Sequence, residues 1–108
     1  MRPVSTELAI QRTDDDQGVT LALHGDLDVV SAPKLEQCLD EILGQPHGRV
    51  MLDLGGLRFV DSAGVSVLIK AKQRAESSGR TLLLRRPTEQ VERVFALVGL
   101  ADWLAIES

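Results

Sequence analysis

Hydrophobic and polar residues alternate near the start of the chain, as they do in strands with one buried face. Two segments show this pattern, residues 7–12 ("ELAIQR") and 18–25 ("GVTLALHG"). Their apolar positions are Leu8 and Ile10 in the first and Val19, Leu21 and Leu23 in the second. The acidic residues 14–16 between them, followed by Gln17 and Gly18, are typical of a turn. The two segments therefore predict a β-hairpin.

The apolar residues then change to helical spacing. Leu35, Leu39, Ile42 and Leu43 fall at i, i+4, i+7 and i+8, which predicts one buried helical stripe. Ser31 is suited to cap this helix, Pro33 is tolerated in its first turn, and Gly44 and Pro46 end it. A second helix is predicted after Gly64, with Leu68, Ala71 and Ala75 on its buried face and Gly79 as its left-handed end. A third is predicted from Thr88 to Gly99, and Leu100 is expected to pack back on its last turn.

Nearly continuous apolar runs between the helices indicate strands covered by other elements. These runs are 49–54 ("RVMLDL"), 80–86 ("RTLLLRR") and a shorter final one, 103–107 ("WLAIE"). Gly55 and Gly56 are predicted to form a turn. The element order is then β-β-α-β-α-β-α-β. Strands joined through helices run parallel, so we expect an α/β fold with a small, mostly parallel mixed sheet in a single domain, 1–108.

Charge and composition narrow the classes of function. The formal net charge is -4, with two Phe, one Trp and no Tyr, which argues against direct nucleic-acid binding. No apolar run approaches the roughly 20 residues that span a bilayer, so no membrane insertion is expected. The N-terminal residues lack the apolar core of a signal peptide, so a cytoplasmic protein is expected.

Residues that could carry catalysis do not form a recognisable set. Ser62 lies in "VDSAG", which lacks the first glycine of the nucleophile-elbow motif, and neither His24 nor His47 has an identifiable partner. One cysteine and two separated histidines provide no metal-ligand cluster, and no phosphate-binding loop motif is present. We therefore expect no enzyme activity, no cofactor and no metal. Cys38 is interpreted as a small core residue rather than a redox switch.

The segment "DSAG" (61–64) allows two interpretations. In the first, Asp61 caps the second helix, Ser62 occupies its first turn and Gly64 permits close packing. In the second, Ser62 also accepts a phosphate, because it lies where open α/β sheets present functional sites and where a helix N-terminus tolerates an anion. The two interpretations are compatible.

Three segments together resemble the anti-sigma factor antagonists, single-domain members of the STAS superfamily. "LDLGGLRFVDSAGVSVLIKA" is similar to the family's strand-to-helix signature hxLxxhxFhDSSG. "LHGDLDVVSAPKLEQCL" resembles its G-[ED]-L-D turn and first helix, and "EQVERVFALVGLADWLAI" resembles its third helix, closing glycine and last strand. The resemblance covers nearly the whole chain, in the family's order.

The resemblance implies a partner-switching function. In this family the unphosphorylated protein binds an anti-sigma factor that is also an ATP-dependent serine kinase, which frees the sigma factor. The kinase phosphorylates the serine after the motif Asp, and a PP2C-type phosphatase reverses this. The phospho-acceptor would then be Ser62, and Asp28, the last residue of "GDLD", would lie near it at the kinase interface. The expected partner-binding residues are Asp28, Asp61, Ser62, Ala63, Gly64 and Val65.

The chain departs from the family pattern at three points. Ala63 replaces the usual Ser or Thr, which leaves Ser62 as the one motif hydroxyl, and Val65 replaces a common Leu. Many relatives carry a further helix after the last strand, whereas this sequence stops at Ser108. We expect a somewhat exposed sheet face or edge, which a homodimer would cover.

Two other functions remain open. STAS-like domains with D-S-A-G motifs also serve as unphosphorylated structural subunits of phospholipid ABC transporters, docked on the ATPase. That function predicts a permanent apolar patch around Val65, Ser66 and Ile69, whereas the switch predicts a mainly polar surface around Asp28, Asp61 and Ser62. A third interpretation is a decoy that binds an anti-sigma factor but is regulated differently, for example through Cys38.

Overall fold

The computed structural model describes residues 7–45, 48–97, 99 and 106–107. Their elements follow the predicted order β-β-α-β-α-β-α-β. The strands are β1 (Ala9–Asp15), β2 (Gly18–Leu27), β3 (Arg49–Val60), β4 (Thr81–Arg85) and β5 (Ile106–Glu107). The helices are α1 (Ala32–Leu43), α2 (Ser62–Ser77) and α3 (Glu89–Leu97).

The five strands form one mixed sheet in the order β1-β2-β3-β4-β5. β1 pairs antiparallel with β2, while β2, β3, β4 and β5 are parallel to one another. The Asp15 carboxylate accepts hydrogen bonds from the backbone N–H groups of Gln17 and Gly18, which closes the predicted acidic turn. The mostly parallel α/β sheet and its hairpin are therefore confirmed.

The core lies between one face of the sheet and the three described helices. Alternate residues of β2, β3 and β4 point into it, together with the predicted stripe of α1 and the apolar faces of α2 and α3. The fully buried members include Leu21, Leu23, Leu35, Ile42, Leu52, Leu54, Leu68, Leu84 and Phe95. Among these described helices, none is both long enough and apolar enough to cross a membrane.

The second half of β3 corrects one prediction. Gly55 and Gly56 do not form a turn but lie inside β3, where the pairing with β2 shifts register twice. Each shift inserts an extra residue, so Leu54, Leu57 and Val60 face the core at every third position instead of every second. A pair of glycines suggests a turn in a sequence, but here the glycines permit a bulge. A Cβ on Gly56 would lie 2.1 Å from His24 Nδ1.

The helix ends mostly follow the sequence. Thr88 Oγ1 accepts a hydrogen bond from Val91 N–H, and Gly79 and Gly99 adopt the left-handed conformation. Ser31 is the exception, because its side chain makes no cap hydrogen bond to α1. The predicted contacts of Pro46 and Leu100, and residues 103–105 of the last predicted strand, lie outside the described residues.

Candidate functional site

The candidate site lies where β3 ends and α2 begins. β4 pairs with β3 only as far as Asp53, whereas β2 stays paired with β3 as far as Val60. β3 therefore carries the next two residues, Asp61 and Ser62, beyond the β4 edge and beside the end of β2. The carboxyl ends of parallel strands are where open α/β sheets form their functional sites.

Asp61 uses both oxygens of its carboxylate to join two parts of this edge. Oδ1 accepts a hydrogen bond of 3.0 Å from Gly64 N–H, which caps α2 as predicted. Oδ2 accepts one of 3.1 Å from the backbone N–H of Val29, in the loop after β2. The Asp61 N–H in turn donates to the carbonyl of Leu27. The start of α2 and the loop at 28–31 are thus held together by one residue.

Ser62 is the first residue of α2, and it is exposed. Within the described part of the chain, its side chain makes no hydrogen bond, and the helix cap is supplied by Asp61. The hydroxyl group is therefore available to solvent or to a partner. The partial positive charge at the N-terminus of a helix would stabilise a phosphate placed on it.

The three residues after Ser62 pack under the start of α2 and are partly or fully buried. Ala63 is half-buried, and Gly64 and Val65 are buried. A Cβ on Gly64 would lie 2.7 Å from Leu27 Cγ and 2.8 Å from Leu27 O, so glycine permits the close approach of α2 to the end of β2. Of the residues expected to bind a partner, Gly64 and Val65 are therefore largely covered by the packing of α2.

Asp28 occupies the expected loop, but the residue is only 3% exposed. Its Oδ1 accepts hydrogen bonds of 3.0 Å from the backbone N–H groups of Val30 and Ser31. The expectation that this acidic side chain is presented at the surface is wrong for this structure, because short acidic side chains in turns bond to their own loop's backbone. Asp28 instead fixes the shape of the loop that Asp61 also holds.

Ser31 stabilises the same loop from within. Its hydroxyl group donates to the carbonyl of Asp26 at 2.8 Å and accepts from the N–H of Asp28 at 3.0 Å. This corrects its predicted function as the side-chain cap of α1, because a hydroxyl occupied by these two groups is directed toward the loop and not toward the helix. The whole turn from Asp28 to Ser31 is consequently bonded to itself and to Asp61.

The hydrogen-bonded turn carries two residues that the sequence reasoning missed. Val29 is 68% exposed and Val30 is 79% exposed. The third large apolar side chain with high exposure among the described residues is Leu97, at the end of α3. The sequence does contain a signal of this exposure. The two valines lie between "GDLD" and the proline of α1, in a segment whose pattern predicts neither a strand nor a helix that would bury them.

An apolar groove borders the other side of Ser62, between α2 and α3. Its volume is about 420 Å³, and it is lined by Val60, Asp61, Ser62, Val65, Ser66, Ile69 and Val94. Ser62 and Asp61 form part of its wall. The groove contains the three residues, Val65, Ser66 and Ile69, for which an apolar patch was predicted as the mark of a permanently docked subunit.

One perturbed carboxylate lies away from this edge. Burial alone would raise the pKa of Asp53, but a hydrogen bond from Arg86, another from Gly55 N–H and the positive charges of Arg86 and Arg85 lower it below its ordinary value. The ion pair joins Arg86 Nη2 to Asp53 Oδ2 at 2.6 Å, and Arg86 has a positive φ of 51°. Asp53 thus anchors the connection between β4 and α3.

Cys38 lies half-buried on α1. Burial, followed by the charge of Glu41, raises the pKa of its thiol despite the opposing charge of Arg12. A thiol with a raised pKa forms less of the reactive thiolate at neutral pH. Within the described residues, no group of three or more His, Cys, Asp or Glu side chains could hold a metal ion.

Comparison with known proteins gives a consistent family. Residues 10–106 match the family model described as "Mlab, STAS domain". The anti-sigma-B factor antagonist of Staphylococcus aureus (strain NCTC 8325 / PS 47) is 22% identical over 99 residues, which cover 92% of each chain.

Solved structures of the protein SpoIIAA share this fold in two chemical states. The anti-sigma factor antagonist SpoIIAA in its unphosphorylated form has a TM-score of 0.77 at 22% identity, covering 93% of this chain and 89% of that one. The Bacillus cell fate determinant SpoIIAA in the phosphorylated form has a TM-score of 0.73 at 22% identity, covering 93% and 92%. One fold therefore accommodates both states of that protein.

Proposed function

Because the chain belongs to the STAS domain family, we propose that it is an anti-sigma factor antagonist controlled by phosphorylation of Ser62. In its unphosphorylated form it binds an anti-sigma factor that is also an ATP-dependent serine kinase, in the cytoplasm, and frees a sigma factor. Phosphorylation of Ser62 by the same kinase separates the pair, and a PP2C-type phosphatase restores binding. The chain itself catalyses no reaction.

The observation that carries this proposal is the exposed hydroxyl group of Ser62. It stands in the first turn of α2, while the neighbouring Asp61 supplies the cap. A hydroxyl group that the helix does not need can be modified without loss of the fold. The helix N-terminus offers a favourable electrostatic environment for the phosphate that would be attached.

Phosphate on Ser62 would act locally. It adds about -1.5 to -2 charges at neutral pH to an edge that already holds the carboxylate of Asp61. A partner surface that fits the neutral hydroxyl group would then have to accommodate both the phosphate and the Asp61 carboxylate. Binding would be weaker, because both groups lose hydration and repel each other. The shared fold of phosphorylated and unphosphorylated SpoIIAA supports a switch without refolding.

The test is phosphorylation by purified serine kinases of the anti-sigma factor class from the organism that encodes this chain. We expect one phosphate, located on Ser62 by intact mass and peptide mapping, and none on the variant Ser62→Ala. Ser66→Ala is the matched control, since Ser66 is half-buried on the same helix and should leave phosphorylation unchanged. Ser62→Ala should bind the kinase constitutively, and Ser62→Asp should bind weakly. Equal binding by Ser62→Asp would contradict the electrostatic account.

The apolar groove favours a second candidate function, a STAS subunit docked permanently on the ATPase of a phospholipid ABC transporter. The groove provides the apolar surface around Val65, Ser66 and Ile69 that such docking requires. In that case no kinase would phosphorylate the folded chain. Ile69→Asp would release it from the ATPase, whereas Ser62→Asp would have a smaller effect.

A further inference from the structure

The exposed valines at positions 29 and 30 are unusual in their placement. Single exposed apolar side chains are common on protein surfaces and need no explanation. Here, however, two of the three most exposed large apolar side chains among the described residues are adjacent in sequence. The backbone of Val29 is also bonded directly to Asp61, the neighbour of Ser62. We call these two residues the valine pair.

The valine pair is held in a fixed position by polar groups that are themselves buried or half-buried. The N–H of Val29 donates to Asp61 Oδ2, and the N–H of Val30 donates to Asp28 Oδ1, each at 3.0–3.1 Å. Ser31 ties the same turn to the Asp26 carbonyl. The valine side chains bury little surface in return, so this ordering does not serve the core. An apolar surface held in place before binding loses little entropy when it binds.

We infer that the valine pair is an apolar anchor that inserts into a nonpolar cleft of the anti-sigma factor kinase, beside the site where Ser62 meets ATP. The inference rests on the proposed function and adds the chemistry of the partner surface. The position of the pair supports this assignment, because a kinase that reaches the Ser62 hydroxyl must also cover the loop bonded to Asp61. The carboxylate of Asp28 is turned inward, so the exposed residues of the loop at 28–31 are the two valines.

An apolar anchor on the loop bonded to Asp61 also makes the phosphate a stronger release signal. A nonpolar cleft closing over the valine pair would remove water from the adjacent residues. A phosphate dianion in that position would lose hydration without gaining a counter-charge from the cleft. The neutral hydroxyl group of Ser62 carries only a small cost of this kind.

The experiment compares the intact chain with the double variant Val29→Thr/Val30→Thr in binding and phosphorylation by the kinase. Threonine keeps the branched shape but replaces one methyl group of each valine by a hydroxyl group. We expect the Kd for the kinase and the KM for phosphorylation of Ser62 to rise about tenfold or more, while kcat changes by less than about twofold because Ser62 is untouched. The control Val29→Ile/Val30→Ile keeps the apolar surface and should retain native affinity. Thermal unfolding confirms that each variant is folded.

The outcomes separate this inference from the proposed function. If the native chain is phosphorylated on Ser62 and the threonine variant binds and reacts like it, the anchor is wrong and the switch stands. If the threonine variant binds the kinase normally but loses self-association, the valine pair contacts a second copy, which also overturns the anchor. If no serine kinase binds or modifies the native chain, both the switch and the anchor fail.

Discussion

Asp61 and Val29 are joined by a hydrogen bond of 3.1 Å between residues 32 positions apart in the sequence. This contact connects the cap of α2 to the loop that carries the valine pair. A displacement of Asp61 at the start of α2 should therefore displace the loop at 28–31, and a displacement of the loop should displace Asp61. The edge around Ser62 acts as one unit because two backbone N–H groups share one carboxylate.

The two functions of Asp61 can be separated by substitution. Asp61→Asn keeps one oxygen, sufficient to cap α2, because asparagine is a good N-cap residue. It lacks the second acceptor, so we expect faster hydrogen exchange of the Val29 amide with the Gly64 amide still protected. Asp61→Ala should expose both amides and lower the free energy of unfolding by about 1–2 kcal/mol. Unchanged exchange at Val29 in Asp61→Asn would contradict the coupling.

Substitutions of Asp28 can show whether it affects partner binding through its charge or through the shape of its loop. Asp28→Asn retains the Oδ1 acceptor for Val30 and Ser31 but removes the charge, whereas Asp28→Ala removes both. If Asp28 acts by shaping the loop, the asparagine variant should bind the kinase within about threefold of the native chain. The alanine variant should bind more weakly and be less stable by about 1 kcal/mol, because the N–H groups of Val30 and Ser31 lose their acceptor.

The measurement is the Kd of each variant, with urea unfolding as the check on stability. Equal weakening by Asp28→Asn and Asp28→Ala would show instead that the charge itself contacts the partner. That result would support the expectation that the Asp28 side chain lies at the kinase interface. The loop would then have to open on binding.

The ion pair of Asp53 and Arg86 predicts a pH dependence of stability. The pKa of Asp53 is lowered in the folded chain, so the carboxylate stabilises the fold above its unfolded pKa, about 3.9, and this contribution is lost as the pH falls through the folded pKa. Arg86→Gln removes the hydrogen bond and the charge of the arginine, two of the causes that lower the pKa of Asp53, so this pKa should rise in the variant. The variant should therefore be less stable than the native chain above about pH 5, and the difference should shrink toward pH 2–3.

Urea unfolding at several pH values provides the measurement. Arg93→Gln is the matched control, because Arg93 forms an exposed ion pair with Glu89 on the surface of α3. Such pairs contribute little to stability. A difference for Arg86→Gln that stays constant from pH 7 to pH 2 would mean that the arginine stabilises the fold by packing rather than through Asp53.

Cys38 should react slowly with alkylating reagents. Burial and the charge of Glu41 raise the pKa of the thiol, so the thiolate fraction at pH 7 is below that of a free cysteine. The rate of alkylation by iodoacetamide at pH 7, followed by intact mass, should be lower in the folded chain than for the free thiol of the urea-unfolded chain, and it should rise with pH. Alkylation faster than the free thiol would revive the interpretation in which Cys38 regulates the protein.

The fold was largely predictable because its core positions follow clear periods. The apolar stripe of α1 predicts which face of that helix is buried, and the continuous apolar run of β3 predicts a strand covered by other elements. The place of Asp61 directly before α2 predicts its function as the N-cap. The second half of β3 was not predictable in the same way. Its apolar residues recur every third position, which matches neither a regular strand nor a helix, and Gly55 and Gly56 suggested a turn.

The site was less predictable than the fold, because side-chain direction is set by contacts distant in sequence. The family resemblance placed Asp28 at the kinase interface, yet its carboxylate is directed into its own loop by two backbone N–H groups. The exposure of Val29 and Val30 was not predictable from residue type alone, because apolar residues are usually buried. Their exposure follows from the hydrogen bonds of the loop to Asp28 and Asp61.

The bulges in β3 make this segment tolerant of a change in chain length. At the first bulge two residues of β3 stand opposite one residue of β2, so one of them has no partner of its own. Deleting Gly55 would leave Leu54 and Leu57 alternating regularly toward the core and would keep Val60 opposite Leu27. A deletion among residues 50–53, which are paired on both sides, would turn every later side chain to the opposite face. We therefore expect a chain that lacks Gly55 to keep the native pairing of β2 with β3, and a chain that lacks one of residues 50–53 to lose it, as measured by amide hydrogen exchange and urea unfolding.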